Sequence, residues 1–135
     1  MIQNLKKILF YAYLLLITAL SLWPSNHMPD VMLFPYADKV IHACMYSGFT
    51  FLMLWAWPVQ FTGVKQFLPF IVVVAYGFLM ETLQRISFLG RSFDLRDELA
   101  NSLGFFPGWL FWKWTNTWAK YFKKNRKNIH NDFHR

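Results

Sequence analysis

Charge is what this sequence has least of. Only 16% of its 135 residues are charged, against about 25% in ordinary soluble domains. At the same time 56% are hydrophobic and 21% aromatic. A soluble fold of this length buries too modest a share of its chain to hide that much apolar surface. Lipid is therefore the expected solvent. A single cysteine, Cys44, excludes an intramolecular disulfide and any clustered thiolate centre, and leaves the redox compartment open. There is no P-loop, no H-E-x-x-H and no nucleophile elbow, so no familiar catalytic signature is present. No internal repeat or pair of broken helices appears, which argues against a transporter.

Acidic residues are also few, seven against fourteen basic ones. The position of the surplus matters more than its size. From Lys113 to Arg135 the chain holds seven Lys or Arg and one Asp. The net charge of +7 is thus almost entirely a tail behind an apolar stretch. A juxtamembrane cluster of this kind meets anionic lipid and fixes topology, and no nucleic-acid partner is expected.

Four stretches have the roughly 20 residues that a bilayer crossing takes. They run from about Leu5 to Trp23, Asp38 to Trp57, Phe67 to Ile86 and Leu95 to Trp114. Trp23, Tyr36, Trp55, Trp57, Trp112 and Trp114 fall near their ends, where amphipathic rings favour the headgroup region. Lys6 and Lys7 before the first run resemble a signal peptide. The residues after it, Trp23, Pro24 and Ser25, offer no small-residue cleavage site, so a retained helix is expected. With the N-terminus inside, ten basic residues face the cytoplasm and four the outside, the sense that basic residues favour. The fold expected is all-α: a four-helix transmembrane bundle over residues 1–114 with both ends inside. A basic cytoplasmic tail, 115–135, follows, its last ten residues without fixed structure.

Ionisable groups inside a span cost roughly 2.5–3.5 kcal/mol each at its centre and less near the interface. Three of the four stretches nevertheless carry them. Asp38, His42 and Tyr46 recur every four residues and drift only about 40° per step, so they form one stripe, with Lys39 beside it. Glu81 and Gln84 share a face of the third stretch, with Arg85 a turn beyond Glu81. Asp97 and Asn101 share a face of the fourth, continued by Gly104 and Gly108 in the spacing of close helix packing. In the N-inside topology all three faces arrive in the outer third of the bilayer. The connection 87–94 brings Arg91 above them, with Gly90 allowing the turn. Asp94 is also placed to cap the fourth helix.

In order and spacing these residues resemble the VanZ-like family. Its pattern D-K-x-x-H-x-x-x-Y matches Asp38 to Tyr46, E-x-x-Q matches Glu81 to Gln84, and G-R-x-x-D-x-x-D with N-x-x-G matches Gly90 to Asp97 and Asn101 to Gly104. The match covers about half the chain. The resemblance implies a multi-pass protein of the bacterial inner (cell) membrane, in a family whose founding member is associated with resistance to the glycopeptide teicoplanin. The expected function is an envelope protein whose outer pocket binds a lipid-linked or amphiphilic anionic ligand, such as a cell-wall precursor or a lipoglycopeptide. Asp38, Lys39, His42, Tyr46, Glu81, Gln84, Arg91, Asp94, Asp97 and Asn101 are its candidate ligand-binding residues, with Arg91 on the anion and Lys39 assisting. Two other readings compete. In an intramembrane enzyme, His42 or Glu81 would be the general base. In a structural protein, the polar network would only fix helix packing. No cofactor or metal is expected; a metal-dependent variant would draw on His42, Glu81 and Asp97.

Overall fold

The computed structural model describes residues 1–23, 34–57, 63–86 and 94–132, without the side chains of 86 and 127–132. Four helices make up these residues: α1 (Ile2–Ser21), α2 (Ala37–Ala56), α3 (Leu68–Ile86) and α4 (Leu95–Asp132). A 3₁₀ turn, Gly63–Phe67, leads into α3. No strand occurs among the described residues. Two stretches are long and apolar enough to cross a membrane, Ile2–Ser21 and Gly63–Arg85. At most 22% of either is buried, whereas a soluble core helix is mostly covered. Their lipid-like faces are turned outward.

Two of the helices, α3 and α4, begin where the sequence can tolerate unpaired backbone donors. Pro69 sits in the first turn of α3, where its missing N–H costs nothing. Asp94 caps α4, its Oδ1 accepting from the Arg96 N–H at 2.8 Å. Asp97 and Glu98 follow in the first turn, at the positive end of the helix dipole. Tyr36, before α2, adopts φ 64°, a left-handed conformation costly for a bulky residue.

The helices run up and down, and two different ends result. At one end, Gln3 of α1 donates to the Ala56 carbonyl of α2. Lys6 and Lys7 lie over Trp55 and Trp57, at 4.8 and 5.8 Å from the ring centres, and Lys113 lies 5.2 Å from that of Trp109. At the other end, Gln84 of α3 donates to the Ser21 carbonyl of α1 at 2.8 Å. The ends of α2 and α4 that carry the acidic residues meet there too. Between them lies an aromatic core, where Phe10 stacks on Phe49 at 5.5 Å and Phe49 tilts against Tyr76 at 5.1 Å. Tyr13 donates to the Met45 carbonyl (2.9 Å), and the Thr18 and Tyr76 hydroxyls meet at 2.6 Å, tying α1 to α2 and α3.

The tightest seam joins α2 and α4. A Cβ at Gly104 would stand 2.5 Å from the Ala43 carbonyl oxygen, and one at Gly108 would be closer still to that of Ser47. Only glycine permits this approach. The Gly104–Gly108 face therefore packs helices, as its spacing indicates.

The helix α4 runs past the fourth apolar stretch, through the basic segment to Asp132. Between Trp109 and Asp132 there is neither Gly nor Pro, and Lys and Arg are good helix formers. Nothing local stops the helix.

Candidate functional site

The glycine seam sets α2 and α4 in register, and the polar residues of both helices meet just beyond it. His42 Nδ1 lies 2.9 Å from Asn101 Oδ1. A carboxamide oxygen only accepts, so in this pairing Nδ1 donates its N–H and the ring is oriented by it. One turn nearer the end, Lys39 Nζ reaches Asp38 Oδ2 and Asp94 Oδ2, each at 2.8 Å, and also Asp97. An ammonium has three donors. All three are engaged.

From α3, Glu81 enters the same space. It is 1% exposed, and one of its oxygens accepts from the Asp94 backbone N–H at 3.3 Å. His42, Glu81 and Asp97 each bring a ligand atom, and these atoms lie within 4.8 Å of one another. Three helices thus deliver one imidazole and two carboxylates to one point.

Four buried side-chain atoms in this region have no hydrogen-bond partner among the described residues: Tyr46 Oη, Glu81 Oε1, Glu98 Oε2 and Asn101 Nδ2. Tyr46 lies within electrostatic reach of both Glu81 and Glu98. Each such atom costs roughly 1–3 kcal/mol, and native interiors contain few. Four together at one end of a bundle mark a place where something polar is accommodated, be it water, an ion or a ligand group.

The electrostatics are acidic. Asp38, Asp94 and Asp97 surround one fully engaged lysine, Glu81 and Glu98 lie buried nearby, and Arg85 and Arg96 are exposed. The Lys39 ammonium on Asp94, with the Arg96 N–H, holds that carboxyl below the usual carboxylate range. Lys39 was expected to assist with an anion. It cannot do so while it bridges three carboxylates.

No family model, curated protein or solved structure matches the chain. The site is read on its own chemistry.

The structure brings Lys39, His42, Glu81, Asp94, Asp97 and Asn101 together. Asp38 stands at the rim, its side chain 60% exposed. Tyr46 lies buried beneath them. Gln84 is buried on the α1 side, where its amide ties two helices together. Arg91 and Gly90 lie outside the described residues. Sequence reasoning passed over Glu98, which is 7% exposed and lies against the α3 backbone. A Cβ at Gly77 would fall 2.5 Å from Glu98 Oε2. The available signal was a further carboxylate in the first turn of α4, one turn before Ser102, whose hydroxyl donates to it at 3.3 Å. Remote from all this, between α3 and α4 at the tryptophan-rich end, Phe67, Phe70, Phe105, Phe106 and Trp109 line an apolar groove of about 420 Å³.

Proposed function

We propose that this chain is a VanZ-like protein of the bacterial inner membrane. In this reading it crosses the bilayer four times, with the tryptophan- and lysine-rich end in the cytoplasm. The polar end then lies at the outer leaflet, where it binds the head group of an envelope amphiphile, a lipid-linked wall precursor or a lipoglycopeptide. One observation carries the reading: buried polar atoms without partners gather at that single end, between α2, α3 and α4. A network that served only to pack helices would pair its own atoms. Supporting it, Lys6, Lys7 and Lys113 sit with Trp55, Trp57 and Trp109 at the opposite end, as basic residues and indole rings do at a cytoplasmic interface. Arg91, in the sequence between α3 and α4, is the residue assigned to an anionic group, since guanidinium suits phosphate and carboxylate.

The test separates function from folding. Complementation of a deletion strain, scored by sensitivity to glycopeptides and other wall-targeting agents, is lost with His42→Ala and Arg91→Ala while both variants stay at normal abundance in the membrane. Disappearance of both variants from the membrane would instead make the polar end a packing device.

An intramembrane enzyme is the second reading, favoured by one observation: His42, oriented through Nδ1, and the buried Glu81 each bring a basic atom to within 4.8 Å of the other. It predicts new products when purified protein meets polyprenyl pyrophosphate, read by mass spectrometry.

A further inference from the structure

An anionic head group entering this end meets an acidic wall. Lys39 is fully engaged by carboxylates, and Glu81 and Glu98 are both buried with an unpartnered oxygen. Positive charge beyond that of Arg91 would offset this wall, and three side chains are arranged to hold it. We propose that His42, Glu81 and Asp97 bind one divalent transition-metal ion of the zinc class.

The three potential ligand atoms come from three helices and already lie within 4.8 Å of one another. Around one tetrahedral zinc, with bonds of about 2.0–2.2 Å, ligand atoms sit roughly 3.4 Å apart. The widest pair therefore closes by at most about 1.4 Å, within the reach of side-chain rotation. Each ligand is also held from its other side. Asn101 accepts from His42 Nδ1, the Asp94 N–H donates to one oxygen of Glu81, and Lys39 takes one oxygen of Asp97. Metal ligands are commonly oriented in this way, and the bond at Nδ1 raises the basicity of the ring nitrogen that remains. The second oxygen of Glu81, 99% buried by its residue exposure, has no partner. A buried carboxylate oxygen without a donor is the kind of group a cation satisfies.

The donor set selects the metal. An imidazole with two carboxylates suits zinc, manganese or iron(II), whereas magnesium and calcium prefer oxygen alone. Three protein ligands leave a fourth position open, as in zinc sites that take water or a substrate oxygen. The ion site stands on its own ligands. Its use in holding a phosphate or carboxylate head group rests on the envelope-amphiphile reading above.

The test uses the full chain, purified in detergent through an affinity tag without histidine, exposed to micromolar zinc and desalted. Metal is counted by mass spectrometry. About one zinc per chain is expected, falling at least tenfold with His42→Ala and with Glu81→Gln, while His130→Ala/His134→Ala in the tail changes nothing. Asn101→Ala is expected to weaken zinc by about 10–100-fold, the usual effect of removing an outer partner. Should His42→Ala or Glu81→Gln fail to fold, cobalt added to the wild type decides: a visible d–d band at one equivalent supports the site, and its absence overturns it. Zinc retained equally by wild type, His42→Ala and Glu81→Gln, or not retained by the wild type at all, also overturns it. Flotation with vesicles containing polyprenyl phosphate, with and without chelator, separates the two claims. Zinc binding without polyprenyl phosphate binding leaves the ion site standing and removes the lipid reading. Lipid binding that ignores the chelator, by a protein that takes up no zinc, does the reverse.

Discussion

The two halves of the α2–α4 seam are built on opposite principles. At Gly104 and Gly108 the two backbones are so close that not even a Cβ fits between them. Within one turn of Gly104, around His42 and Asn101, the same two helices are joined by charged and polar groups, several of them unpaired. The first half has no valence left to offer. The second has hydrogen-bond capacity and negative charge in excess. A helix pair closed only by glycine would be stable and inert; one closed only by carboxylates would repel itself. The sealed half lets the polar half carry its unpaired groups.

The sharpest way to break this contrast is to fill the seam. Gly108→Leu forces side-chain carbon into the Ser47 carbonyl and Thr50, and overpacking that cannot relax costs about 3 kcal/mol or more. The expected result is loss of monodisperse protein in detergent chromatography. Asn101→Ala strikes the polar half instead. It leaves the His42 Nδ1–H without its acceptor, for about 1–3 kcal/mol, read as a lower midpoint in thermal unfolding.

Lys39→Met sharpens the comparison through pH. Because Lys39 holds the Asp94 carboxyl low, its contribution is complete above the ordinary carboxylate range of about 4. It is lost as pH falls through the depressed value. The stability gap between wild type and variant is therefore widest at neutral pH and narrows in acid. A gap that grows in acid would mean that the ammonium stabilises something other than carboxylates. The smallest effect expected is that of Thr50→Val. Its hydroxyl donates to the Tyr46 carbonyl within its own helix, at 2.8 Å, a bond that adds little to an existing helical turn. The change stays within about 1 kcal/mol, again by thermal unfolding.

Much of this was legible in the sequence, and for a physical reason. The four-residue spacing of Asp38, His42 and Tyr46, and of Asp97 and Asn101, fixes which side chains share a face, because helix geometry is regular. Both ends of α2 and α3, and the start of α4, fall at or next to the residues where the hydrophobic runs begin or stop. Spacing says nothing, however, of how one helix is rotated against the next. That rotation decides that Lys39 reaches Asp94 and Asp97 together, that Gln84 turns to Ser21, and that Glu98 lies against α3. Nor does the end of an apolar stretch mark the end of a helix: α4 continues beyond Trp114 because no Gly or Pro follows.

The close approach at Gly104 and Gly108 has one more consequence. It shuts the way between α2 and α4 next to His42 and Asn101, since the carbonyls of Ala43 and Ser47 rest directly on the opposite backbone. Nothing wider than a hydrogen atom fits between the two helices there, so the polar side chains beside the seam are walled off from its glycine end.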